Sequence, residues 1–369
     1  MTESFIGLIS GTSMDAIDAV LVEMDGPEIR IDTTHSHPIP DGPLQVLRRI
    51  VEHPELIDLS QVGELDVALG HAFSSAALEL IEKAGRRPGS ISAIGSHGQT
   101  LLHSPHGEWP FTMQIGDPNV VAADTGITTV ADFRRRDVAL GGQGAPLVPA
   151  FHHAVFSTPD EPRAVLNVGG IANLTLLLPG VDVIGFDTGP GNNLMDAWTR
   201  RAQGQPYDKD GEWGASAACD SRLLEVLLDH DYFLRPPPKS TGPEDFHLTW
   251  LQHRLDSIET PLSAATIQAT LCELTATTVA RALEQTAPKP GGLYVCGGGA
   301  HNRALMQRLS SRLPDWRLET TESLGIGVDW VEAAAFAWLA HRTVNSLPGN
   351  LPAVTGATRE VVLGAIYPA

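Results

Sequence analysis

Residues 183–187, Val-Ile-Gly-Phe-Asp, run apolar and end on a carboxylate. They lead into Thr188-Gly189-Pro190-Gly191-Asn192-Asn193 and a helix-like segment. A carboxylate at the carboxyl end of a strand in an α/β sheet lies where ligands bind. Its fixed placement suits a general base, which must come within hydrogen-bond reach of a hydroxyl or water. An Asp187 that only caps the helix, or only ligates a metal, satisfies the same pattern.

Glycine supplies the second chemical signal. Gly makes up 36 of 369 residues, and the excess is clustered at Gly11, Gly141-Gly142-Gln143-Gly144, Gly169-Gly170, residues 185–191 and Gly297-Gly298-Gly299. Several clusters follow an apolar strand, where a missing Cβ lets backbone N–H groups approach an anion. One such cluster would be ordinary turn chemistry; several, spread over both halves, point to phosphate. No Gly-Lys pair or complete GxGxxG occurs, and lysine is confined to Lys83, Lys209, Lys239 and Lys289. Phosphate charge is therefore expected to meet backbone N–H groups, Mg²⁺ and arginine. Asp15 and Asp18, beside the first turn, could hold that Mg²⁺ directly or through water; surface turns also favour Asp for its own sake.

Other polar groups are less specific. His97, in Ile94-Gly95-Ser96-His97-Gly98-Gln99-Thr100 at an expected strand end, reads as a substrate contact or as a satisfied buried histidine. Arg134-Arg135-Arg136-Asp137 with Gln143 reads as an anion contact or as a solvated charge run. Glu332 opens an apolar helix, where an acid is also good dipole chemistry. His152 and His153 are helix neighbours that point apart and make a poor metal pair. HExxH, GxSxG and paired CxxC are missing from the sequence, which removes zinc hydrolysis and nucleophile-elbow chemistry.

The elements that must carry these residues alternate throughout the chain. Strands are expected at 5–10, 17–24 and 28–33, then helices at 43–51 and 61–84, with Ser60 as N-cap. Strands follow at 91–95, 112–115 and 128–133. The pattern restarts with strands at 163–168, 174–178 and 181–186 and a helix at 192–201. A mostly helical portion follows, with one strand at 292–296 and a last helix at 330–344. Two three-strand meanders, each with a glycine turn after its first strand, predict a duplicated α/β core with a cleft between the halves. The expected domains are residues 1–130 and 131–369, with the last residues able to return to the first.

Composition agrees. Lys and Arg total 25 against 44 Asp and Glu, a net charge of −19, which excludes phosphate-backbone and anionic-membrane partners. Three scattered cysteines read as reduced thiols. With no basic, apolar leader at the N-terminus, the chain is expected in the cytoplasm.

Together the segments GLISGTSMDAIDAVL from Gly7, IGSHGQT from Ile94, QIGDP from Gln114 and ADFRRRDVALGGQGAPLVPAFH from Ala131 resemble the anhydro-N-acetylmuramic acid kinase family. LNVGGIANLTLL from Leu166, GFDTGPGNNLMDAW from Gly185, KSTG from Lys239, CGGGAHN from Cys296 and AFAWLAHR from Ala335 continue the match in family order. The resemblance implies a two-domain, actin-like ATPase/sugar-kinase fold with duplicated ribonuclease-H-like cores and an interdomain cleft. It implies ATP and Mg²⁺, and a homodimer. The implied reaction opens the 1,6-anhydro ring with water and phosphorylates O6. Asp187 is then the base; Gly11, Thr12, Ser13, Met14, Asp15, Ala16, Ile17, Asp18, Gly169, Gly170, Asn173, Gly297, Gly298 and Gly299 bind nucleotide. His97, Arg134, Gln143, Asn192 and Glu332 bind the sugar. Ala16 stands where the family usually has glycine, and costs little if its φ is negative. A nucleotide-independent hydrolase and an actin-like nucleotide switch are the competing readings; turnover with and without ATP separates them.

Overall fold

The computed structural model describes residues 2–11, 14, 16–26, 28–53, 58–242, 244–287 and 289–369. The chain divides into two units, Met1–Val155 with Trp330–Ala369, and Phe156–Asp329. The boundary thus falls 25 residues later than the expected residue 130 (155 − 130), and everything from Trp330 onward rejoins the first unit.

In the first unit, β1 (Glu3–Ser10), β2 (Ala16–Asp25) and β3 (Glu28–Pro38) form the antiparallel meander, and β4 (Ala93–Ser104), β5 (Phe111–Ile115) and β6 (Thr129–Ala131) complete the internal strands. β4 pairs parallel with β1 and with β6, while β5 returns antiparallel on β4. The residues from Trp330 return for two physical reasons. A short C-terminal strand pairs antiparallel with β6, joining Ala365 to Ala131. The Val331–Val344 helix, apolar on nearly every side, buries itself on β1 and β4. Gly7 and Gly95 are register partners there, and a Cβ on them would stand 1.8 Å from the Ala333 carbonyl oxygen and 2.1 Å from that of Phe336. Glycine on two neighbouring strands lets the helix backbone touch the sheet.

Alternation sends Leu8, Ile17, Ala19 and Leu21 to the other face. There they pack with Leu69, Phe73, Ala76 and Leu80 of the Leu59–Lys83 helix. Its cap is Asp58 and not Ser60: Asp58 accepts from the Gln61 N–H in a capping box, and the Ser60 hydroxyl donates to Asp58.

The second unit repeats the plan. β7 (Arg163–Val168), β8 (Ile171–Leu177) and β9 (Ile184–Pro190) form a meander, and β10 (Gly292–Cys296) and β11 (Arg317–Thr320) add in parallel. The sheet order β11-β10-β7-β8-β9 mirrors β6-β4-β1-β2-β3, and the C-terminal strand, β12 (Ala365–Tyr367), extends the first sheet beyond β6. Both units therefore carry a ribonuclease-H-like core, the duplicated α/β architecture of actin-like ATPases and sugar kinases. The second core gathers Leu166, Leu174, Phe186, Trp198 and much of the Ala264–Thr286 helix, which Ser263 caps.

Candidate active site

Asp187 lies on β9 opposite Asn173, at the point where a bulge shifts the β8–β9 register. The segment 232–241 grips it from three directions. The Asp187 N–H donates to the Lys239 carbonyl over 3.1 Å, the Thr241 N–H donates to Asp187 Oδ2 over 3.0 Å, and the Tyr232 hydroxyl donates to the Asp187 carbonyl over 2.7 Å. Burial raises its carboxyl from 3.8 to about 6, opposed by the Thr241 hydrogen bond, assisted by Glu244 and opposed again by Lys239. A half-buried carboxylate poised near neutrality is the electrostatic profile of a proton acceptor.

The same unit brings two of the expected glycine turns together. The carbonyl of Gly169 accepts from the Asn192 N–H over 2.8 Å, and that of Gly170 from the N–H groups of Gly191 and Asn193. Gly191 must be glycine: its Cβ would lie 2.3 Å from the Gly169 oxygen. Gly297, at φ 77°, and Gly299 sit against Val168. Asn192 donates Nδ2 to the Val168 carbonyl over 3.0 Å and lies 3.7 Å from where a Gly298 Cβ would stand. Asn192, expected as a sugar contact, thus sits between the two glycine turns. Around Gly169 itself the space stays open, the Ile171 carbonyl oxygen lying 3.7 Å from where its Cβ would be.

In the first unit His97 and Arg134 form a second group, with the charge of Glu332 acting on Arg134. His97 is buried within β4 and not at its end, because the strand continues to Ser104 through Gly98 at φ 73°. The guanidinium of Arg134 donates Nε–H to His97 Nε2 over 2.9 Å and Nη1–H to the Gly144 carbonyl over 2.8 Å. Arginine has no acceptor, so Nε2 accepts and Nδ1–H donates to the Gly98 carbonyl over 2.9 Å. Burial, with the Arg134 charge beside it, holds His97 well below its usual range and hence neutral. Burial likewise pulls Arg134 down to about 10, against the opposing charges of Glu332 and Asp137. Gln143 is tied by its N–H to the Thr355 carbonyl over 2.8 Å. Arg135 and Arg136 are exposed and take no part.

Of the first turn, Gly11 and Met14 are described; Thr12, Ser13 and Asp15 lie outside the described residues. Met14, at φ 54°, occupies the left-handed position and donates its N–H to the Gly11 carbonyl over 3.2 Å. Ala16 opens β2 opposite Pro38 in extended conformation, so its methyl group is unstrained. Ile17 is wholly buried, and its side chain belongs to the core and cannot face a nucleotide. Asp18 is half-buried and accepts from the Ser36 hydroxyl over 3.1 Å.

Two structural partners are not evident from residue type. Lys239-Ser240-Thr241-Gly242 stands out in the sequence only through the resemblance, although it clamps Asp187. Asp137 looks like the end of a charge run; it is fully buried and accepts from the Gly144 N–H, Asn350 Nδ2 and the Thr355 hydroxyl, each over 2.8 Å. A lone acid preceding Gly-Gly-x-Gly is the only signal for it.

A family model described as anhydro-N-acetylmuramic acid kinase matches residues 3–369. An anhydro-N-acetylmuramic acid kinase of Shewanella sediminis is 52% identical over 370 residues, spanning 100% of this chain and 99% of its own. That of Photobacterium profundum is 50% identical over 374 residues, with 100% and 99% covered. That of Coxiella burnetii is 52% identical over 369 residues, with 99% and 97% covered.

Proposed function

The chain belongs to the anhydro-N-acetylmuramic acid kinase family, and we propose that Asp187 is the base of its reaction. The enzyme opens the 1,6-anhydro ring of anhydro-N-acetylmuramic acid and phosphorylates O6, giving N-acetylmuramic acid 6-phosphate, a step in murein recycling. The observation that carries the assignment of Asp187 is its grip by Lys239 and Thr241 together with a carboxyl raised to about 6.

Asp187 removes a proton from water as the water oxygen bonds to the anomeric carbon. The bond from that carbon to O6 breaks, and O6 then bonds to the γ-phosphorus of ATP as ADP departs. One base serves both events because ring opening releases the same oxygen that is phosphorylated. Alignment of the reactants can supply roughly 7–11 kcal/mol of the barrier. N–H groups around the open Gly169-Gly170 turn, with Asn192 and Gly297–Gly299, suit the nucleotide's phosphates. His97, fixed as a neutral acceptor, orients Arg134 towards the sugar, and Gln143 and Glu332 complete that contact. The donor set near the first turn suits Mg²⁺: Asp18 offers a carboxylate already oriented by Ser36, a hard oxygen ligand able to act through water. When bound, the ion would neutralise phosphate charge. A homodimer in the cytoplasm completes the reading, and sedimentation of the purified chain tests the oligomer.

The direct test is mass spectrometry of the sugar after incubation with and without ATP. A phosphorylated, ring-opened product that needs ATP supports the kinase; ring opening without nucleotide overturns it in favour of a hydrolase.

A further inference from the structure

A cluster outside this machinery carries chemistry of its own. His35 and His37 are two residues apart on β3, so both imidazoles point to one face, the face that receives the Leu59–Lys83 helix. Their register partners on β2, Ala19 and Ile17, lie in the core beneath that helix. From the helix comes Glu79, whose Oε2 stands 2.8 Å from His35 Nε2 and 3.1 Å from His37 Nδ1. All three ligand atoms lie within 4.8 Å of one another. Both imidazole side chains are mostly enclosed, at 22% and 14% exposure, whereas the carboxylate is half open at 50%.

We propose that His35, His37 and Glu79 bind one divalent transition-metal ion of the zinc class. The ligand chemistry selects it: two imidazoles and one carboxylate suit zinc, and hard cations such as Mg²⁺ and Ca²⁺ prefer all-oxygen sets. Zinc–ligand bonds of about 2.0–2.2 Å put tetrahedral ligands roughly 3.4 Å apart. The Glu79 oxygen, 2.8 and 3.1 Å from the two nitrogens, therefore sits a few tenths of an ångström closer than a shared ion requires, and the solvent-accessible Glu79 side chain can open by about that much. A fourth position remains for water. The surrounding negative charge of the chain, −19 overall, favours cations.

The location gives the ion a structural job. β3 is an edge of the seven-stranded sheet, and edge strands need something to hold and cover them. Lys83 Nζ, one turn along the same helix, already donates to the Thr34 carbonyl over 2.9 Å. The metal adds a second tie between strand and helix. Ser36, between the two histidines, points to the other face and donates to Asp18 on β2.

The rival explanation is two histidines sharing one carboxylate oxygen by hydrogen bonds alone. The test uses the untagged full chain, stripped with a chelator, and titrates it with ZnCl₂ against a chromogenic zinc indicator. One zinc per chain is expected. His35→Gln, His37→Gln and Glu79→Gln should each weaken binding ~10-fold or more, since even outer-sphere changes cost about 10–100-fold. Zinc should also raise the thermal midpoint of the wild type and leave that of the variants unchanged, with folding of each checked by circular dichroism. A wild-type chain that cannot compete with the indicator overturns the site. So does zinc binding of unaltered affinity in the folded variants. Neither outcome touches the kinase assignment, which is read separately by sugar phosphorylation.

Discussion

The backbone N–H of Thr241 donates to Oδ2 of Asp187 over 3.0 Å. Two residues earlier, the Lys239 carbonyl accepts the Asp187 N–H over 3.1 Å. One short segment therefore fixes the acid's backbone and one of its two carboxylate oxygens, which sets the direction of the other. It also sets the acidity, because a donor aimed at the ionised form opposes the burial that raises it.

Replacing the donor without the side-chain charge exposes that balance. Thr241→Pro removes the N–H, and loss of a charge-assisted hydrogen bond worth about 1.5–3 kcal/mol should move the Asp187 carboxyl up by roughly one pH unit or more. The acid limb of kcat/KM should shift upward accordingly. Thr241→Val keeps the N–H and loses only the hydroxyl's bond to Asp245, so its limb should stay in place.

For the unaltered enzyme, a base with its carboxyl near 6 works only when ionised. kcat/KM should be level above about pH 7 and fall with unit slope below about pH 6. A pH–rate profile with no limb between pH 5 and 7 would contradict the role.

Asp187→Asn should lower turnover by roughly 10²–10⁴-fold, the usual worth of a positioned base. It should also stabilise the fold at neutral pH. A carboxyl raised from 3.8 to about 6 binds its proton more tightly when folded, so its stability contribution is complete below 3.8 and is lost as pH rises through 6. At pH 7.5 the ionised group then costs on the order of 3 kcal/mol, which asparagine avoids while still accepting from Thr241. Thermal melts should favour the variant at pH 7.5 and converge near pH 4.

Much of this was legible in the sequence. Both meanders and the glycine turns follow from apolar runs bounded by Gly, because local pattern and local structure coincide there; Asp187, expected at a strand end, instead lies inside β9, which continues to Pro190 through pairing with β8. What the sequence concealed was long-range. A return of the last residues to the first unit is expected, but its extent from Trp330 is not: it depends on Gly7 and Gly95 meeting the backbone of a helix far along the chain, at Ala333 and Phe336, and no local period encodes that pairing. β11 and β12 are four and three residues long, too short to show alternation. Ile17 looks like part of a binding turn, but its strand parity sends it into the core. Thr241 acts through its backbone, which residue type cannot advertise.

The His97–Arg134 contact yields a separable effect. His97→Leu takes the acceptor from Arg134 Nε, leaving a half-buried guanidinium donor unpaired. That costs about 1.5–3 kcal/mol at the charged group. KM for the sugar should rise ~10-fold or more while KM for ATP stays unchanged. A rise in the ATP constant instead would place Arg134 on the nucleotide.

Gly95→Ala tests the packing that holds the C-terminal segment. Its Cβ would stand 2.1 Å from the Phe336 carbonyl oxygen and 3.0 Å from the Ala340 Cβ. The obstacle is helix backbone, which cannot step aside as a flexible side chain would. The helix must lift from β4, and neighbouring contacts of Ala333, Phe336 and Ala337 loosen with it. Overpacking of this kind costs about 1–3 kcal/mol and more where backbone resists, so the thermal midpoint should fall by several degrees. Because Phe336 packs on His97 with ring centroids 4.6 Å apart, the same displacement should raise the sugar KM. Gly85→Ala, at a turn with open space around its Cβ but φ 65°, should cost only its local backbone strain and leave that constant alone.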